Sequence, residues 1–168
     1  MNKTHLDRLV KGNTEFAFDV LSRLSDQKPE SNLFVSPYSI SVALAMTYAG
    51  SKRNTREQMA DTLHFTLDQR TLHPTFKEIR QEMSRNPDPE ISNEKNEKTP
   101  FQLTEANTLW GQDGYPWSQS FLQTLEANYG AGLQTLDFEQ DASGARRRIN
   151  QWVSEQTRDK IPELINSN

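Results

Sequence analysis

The sequence predicts an α+β chain of about six helices, with two to three strands belonging to an incomplete mixed sheet. Three observations carry that prediction. Apolar residues recur at helical spacing along most of the chain, strand-like alternation is confined to short runs, and one helix is apolar around nearly its whole circumference. Ile40, Val42, Ala43, Leu44, Ala45, Met46, Tyr48 and Ala49 leave that helix no polar stripe, and such a helix is expected to be covered on every side. It is too short to span a bilayer, and Ser39, Ser41 and Thr47 interrupt it.

The other elements follow in order. Leu6, Leu9, Val10, Phe16, Ala17, Val20, Leu21 and Leu24, with Asn13 inside the stripe, make residues 5–25 an amphipathic helix. Residues 25–31, with Pro29, break it, and 32–35 can form a short strand. Ser36 and Pro37 then open the apolar helix, because proline lacks an N–H where none is needed and the serine hydroxyl can accept from the first turn. Gly50 reads as its C-cap, and Asn54 or Thr55, with Glu57 nearby, as the start of a third helix over 55–64. There Met59, Leu63 and Phe65 seek cover. A fourth helix, His73–Met83, puts Phe76, Ile79 and Met83 on one face. Residues 85–100, RNPDPEISNEKNEKTP, read as a mobile surface connection. From Phe101 to Trp110 the chain alternates, with Phe101, Leu103, Asn107 and Leu109 on one face. Pro116 opens a fifth helix lined by Trp117, Phe121, Leu125 and Tyr129 before Gly130. Residues 133–138 form a second short strand, and from Ser143 a long helix puts Ile149, Trp152 and Val153 on its inner face.

These elements need more covering layers than they supply. A two-stranded sheet is not independently stable in water, and the all-apolar helix needs neighbours on several sides. Residues 1–168 are therefore expected to be part of a larger fold.

Specific motifs say which fold. Residues 32–46 read N-L-F-x-S-P-x-S-I-S-x-A-L-A-M, followed by Gly50 and by N-T-x-x-Q-M at 54–59; this closely resembles the start of the serpin domain. NTEFAFDVLSRL (13–24) resembles the first helix of that family, residues 101–138 its strand–helix–strand segment, and INQWVSEQTRDKIPELI (149–165) the helix lying across the front of its main sheet. The resemblance covers the N-terminal part of the serpin fold and leaves the reactive-centre loop and C-terminal sheets outside the chain. It implies inhibition of serine, sometimes cysteine, proteases by suicide loop insertion. The protease would engage a loop missing from this chain, whose other partner would be the remainder of the fold; alone, the chain is expected to inhibit nothing. Two alternatives stand beside this reading: a non-inhibitory serpin (carrier, chaperone or storage protein) and a truncated interaction module. By resemblance the protein is extracellular. The start MNKTHLDRLVKGN lacks an apolar secretory core, which makes a cytoplasmic home the alternative.

Composition narrows the remaining classes. A net charge of −4 gives no electrostatic support for nucleic acid or an anionic membrane as partner. With no cysteine, disulfides and thiolate chemistry are excluded. His5, His64 and His73 are too scattered for a local metal site, and neither a phosphate loop nor a nucleophile elbow occurs. The chain is thus expected to be no enzyme and to need no cofactor. Arg146–Arg148 read as a solvated helix face. Some serpins carry a heparin site on the fourth helix; here Lys77 and Arg80 are offset by Glu78 and Glu82, so no clear heparin site is expected. Trp110, Trp117, Phe121, Tyr129 and Trp152 read as core rather than ligand box. Ser36 is explained by capping and Ser39 less well. The resemblance places both in the shutter, the polar cluster beneath the main sheet where the sheet parts to admit the loop. Asn107, polar on an apolar strand face, is expected to have a buried hydrogen-bond partner and a structural role.

Overall fold

The computed structural model describes residues 2–27, 29–85, 91–92, 98–99, 105–130 and 132–166. Six helices are described: α1 (Lys3–Gln27), α2 (Pro37–Tyr48), α3 (Arg53–Thr62), α4 (Gln69–Arg85), α5 (Gln119–Tyr129) and α6 (Ala142–Gln156). Strands β1 (Ile91–Ser92) and β2 (Lys98–Thr99) pair antiparallel. Strands β3 (Trp110–Gln112) and β4 (Gln134–Leu136) pair in parallel, with Trp110 opposite Gln134 and Gln112 opposite Leu136. A parallel pair needs a crossover, and α5 supplies it. The architecture is α+β, with the described strands in two separate pairs. Apart from Arg85 at the end of α4 and strands β1 and β2, the connection expected to be mobile over 85–100 lies outside the described residues, as do the first four residues of the strand expected from Phe101.

The core lies where α1, α2, α4 and α5 meet. Leu9 and Phe16 from α1, Val42, Ala45 and Met46 from α2, Leu72 and Phe76 from α4, and Leu125 and Tyr129 from α5 form one buried cluster. Leu63, Phe65 and Leu67, around the α3–α4 turn, close it. Phe65 stands edge-on to both Tyr48 and Phe76, at ring-centroid distances of 5.4 and 5.9 Å, the arrangement that aromatic quadrupoles favour. Gly12 lets α1 approach the turn after α3: a Cβ there would lie 2.3 Å from the His64 carbonyl oxygen. The His64 ring reaches back to α1, its Nε2 2.8 Å from Asp19 Oδ2.

Several sequence expectations are corrected here. The apolar helix α2 is not covered on every side: Leu44 and Thr47 face solvent, because only one flank meets α1 and the core. Gly50 is not a left-handed cap; α2 ends on Ala49 in right-handed geometry. Neither Asn54 nor Thr55 caps α3, which starts at Arg53 behind Lys52 without a side-chain cap. Helix α4 begins four residues before His73, because Asp68 accepts the Thr71 N–H at 3.0 Å and Leu72 is buried within the first turns; Pro74 is carried inside it. Pro116 precedes α5 by several residues instead of opening it. Asn32–Val35 and 105–109 carry no ladder among the described residues. A strand needs a partner strand, and sequence alternation alone does not provide one.

Candidate functional site

Ser36 is the N-cap of α2. Its hydroxyl accepts from the Ser39 N–H at 3.3 Å and donates to Ser39 Oγ at 2.9 Å. One turn on, Ser41 is fully buried, and its hydroxyl donates to Asn13 Oδ1 on α1 at 2.7 Å. Three serines on one helix thus make two joints: a local cap, and a cross-helix bond that explains the polar residue inside the α1 stripe. Ser41 is a functional candidate that sequence reasoning missed, although the polar Asn13 in an apolar stripe was its signal.

Asn107 lies on the extended segment before β3 and donates through Nδ2 to Glu105 Oε1 at 3.2 Å. Glu105 Oε2 in turn accepts from Arg80 Nε on α4 at 3.3 Å, both side chains being mostly buried. Residues 105 and 107 share a face in extended backbone, so Asn107 orients the carboxylate that Arg80 grips. Tyr38 lies within the field of this pair; burial, with Glu105 second, pushes its phenol well above the ordinary range. The Ser36–Ser39 pair and the Asn107–Glu105–Arg80 group are therefore two separate polar groups flanking Tyr38.

A third polar joint was not foreseen. His73, 3% exposed, sits between α4 and α5 with Nδ1 2.7 Å from the Tyr129 hydroxyl. Its Nε2 is buried without a hydrogen-bond partner. Burial holds the imidazole neutral, its pKa lowered to about 4, and raises the Tyr129 phenol. The signal was positional: His73 lies three residues before Phe76 on the inward face of α4.

Helix α6 is opened by Asp141, whose Oδ1 accepts from the Gly144 N–H at 2.7 Å. Ile149 and Val153 are buried along its inner face with Ala145. Trp152 meets Trp110 of β3 edge-to-face at 6.0 Å and 84°, which places α6 against the parallel strand pair. Asn150 turns the following chain back: its Nδ2 donates to the Ile165 carbonyl at 2.9 Å and its Oδ1 accepts from the Leu164 and Ile165 N–H groups. Arg147 and Arg148 are exposed. Among the described residues, no group of three His, Cys, Asp or Glu could hold a metal ion, and no helix is long and apolar enough to cross a membrane.

Known proteins share this arrangement. The family model described as Serpin (serine protease inhibitor) matches residues 11–168. Leukocyte elastase inhibitors of Xenopus laevis and Homo sapiens are each 36% identical over 162 residues, covering 96% of this chain and 40% of their own length. The solved structure of cleaved Serpin 42Da superposes with a TM-score of 0.78 at 25% identity over 95% of this chain and 40% of that one. The chain thus spans about two fifths of the length of the curated relatives it matches. With the serine-capped helix α2, the β3–α5–β4 crossover and α6 in the order the motifs require, this chain belongs to the serpin family.

Proposed function

We propose that the protein carrying this chain inhibits serine endopeptidases by suicide loop insertion and is not itself an enzyme. The single observation behind the proposal is the continuous match of residues 11–168 to the serpin family, supported by relatives named as leukocyte elastase inhibitors. By that name, an elastase-type serine protease is the target to test first. Insertion of a serpin loop into its sheet is itself a standing example of stored strain released by strand addition.

In this proposal the chain supplies support and not bait. Ser36 and Ser39 act as shutter residues beneath the main sheet, where their mutual bond fixes the start of α2. Asn107 holds Glu105 for Arg80 and so ties the sheet-forming segment to α4. Ile149, Trp152 and Val153 seat the front helix on the sheet that has to open. The reactive loop belongs to the part of the fold that this chain does not carry, so the isolated chain traps no protease.

The test is incubation of the full gene product with an elastase, read on a denaturing gel. The expected result is an SDS-stable adduct at the summed mass, formed in proportion to lost protease activity. Cleavage of the product without an adduct would instead favour the non-inhibitory reading.

A further inference from the structure

Between the end of α2, the start of α5 and the β3–β4 pair lies a cavity of about 480 Å³. Trp110, Tyr115, Trp117, Phe121 and Leu133 form most of its wall, and Thr47 also lines it. We propose that this cavity is a binding site for a small, flat, uncharged aromatic molecule. The proposal is independent of the inhibitory reading.

Three features separate the cavity from an ordinary gap in packing. The first is chemistry: rings dominate the lining, and none of the described lining residues carries a formal charge. A charged ligand would find no counter-ion, whereas an aromatic one gains ring contacts. Second, the Trp117 side of the wall is fixed before any ligand arrives. Trp117 donates through Nε1 to the Gln112 carbonyl at 3.2 Å, and its indole lies so close to β3 that a Cβ on Gly111 would fall 2.4 Å from Cζ2. The same indole stands between Tyr115 and Phe121, at ring-centroid distances of 4.7 and 6.0 Å. Such preformed, mostly apolar clefts of a few hundred Å³ are where small molecules bind. Third, the polar groups at the rim are already engaged. The Thr47 hydroxyl donates to the Ala43 carbonyl and the Ser118 hydroxyl pairs with Ser120, so they require no polar substituent on the ligand. The aromatic residues that the sequence suggests as core are thus divided: Tyr129 is buried, while Trp117 and Phe121 are half-buried and line this space.

The uncharged fluorophore N-phenylnaphthylamine, titrated into the full gene product, in which the rest of the fold is present to cover the chain, tests the proposal. Two substitutions fill the cavity from different elements: Thr47→Trp at the exposed end of α2, and Ser118→Phe at an N-cap that makes no side-chain capping bond. Phe18→Ser is the control, because Phe18 lies in a different apolar cleft against Val10, Pro37 and Tyr38. The expected result is saturable one-to-one binding that quenches tryptophan emission, weakened about tenfold or more by each filling variant and unchanged by the control. Circular dichroism establishes that both filling variants keep the parent helix content. Binding retained in both, or lost in the control, would overturn the proposal. So would an affinity that falls as protein concentration rises, because a second copy would then be occupying the cavity.

Discussion

Acidification acts on this fold through His73. Its imidazole is buried between α4 and α5, with Nδ1 on the Tyr129 hydroxyl, Tyr48 tilted beside it and Nε2 unpartnered. Burial lowers its pKa from 6.5 to about 4. In the unfolded chain the imidazole binds a proton below pH 6.5; in the fold it stays neutral down to about pH 4. Between those values the unfolded state holds more protons, so stability falls as pH falls. The loss begins near pH 6.5, is complete near pH 4, and amounts to about 3 kcal/mol. The direct assay is an NMR titration of the ring protons, with the His73 signal assigned by its loss in His73→Phe. It is paired with urea unfolding of the parent and His73→Phe from pH 7 to pH 4. At pH 7 the variant is less stable by about 1–3 kcal/mol, having orphaned the Tyr129 hydroxyl. That deficit shrinks on acidification and reverses if it began below about 3 kcal/mol. A His73 resonance titrating near pH 6.5, or a deficit constant from pH 7 to 4, would refute the reasoning.

Other perturbations test other joints. Gly12→Val pushes a side chain into the His64 backbone and costs about 2–3 kcal/mol as overpacking, read as a lowered urea midpoint. Leu125→Ala opens a cavity in the α4–α5 seam, where the side chain is fully buried; a loss of about 2–5 kcal/mol is expected. Ser41→Ala leaves Asn13 without its 2.7 Å partner, for about 1–2 kcal/mol, whereas Ser36→Ala costs about 1 kcal/mol through the cap alone. Asp141→Ala removes the α6 cap and raises hydrogen exchange in its first turn, at a cost of about 1 kcal/mol.

Much of this fold is legible in the sequence, for local reasons. The start of α2 is written in Ser36 and Pro37, the inner face of α6 in Ile149 and Val153, and the buried side of α5 in Leu125 and Tyr129. Non-local features are less legible. Residues 105–109 alternate like a strand yet form no ladder among the described residues, because pairing is settled by chain elsewhere. The early start of α4 depends on Asp68, which lies before the stripe of Phe76, Ile79 and Met83 that marks the helix in the sequence. Of the polar groups, the Ser36–Ser39 cap spans three residues and could be anticipated. The His73–Tyr129 contact joins residues 56 apart, and only the inward placement of His73 on α4 hints at it. The aromatic cavity is hidden for the same reason: its walls come from α2, β3 and α5, and the stripe that marks Trp117 as apolar does not say what it faces.

The inhibitory proposal requires a sheet able to accept the protein's own cleaved loop. The melting temperature of the full gene product, before and after a single cut in that loop, tests this most directly. Loop insertion adds a strand to the sheet, so the cut protein is predicted to melt roughly 10 °C or more above the intact one. A cut protein that melts at the same temperature or lower would overturn that proposal.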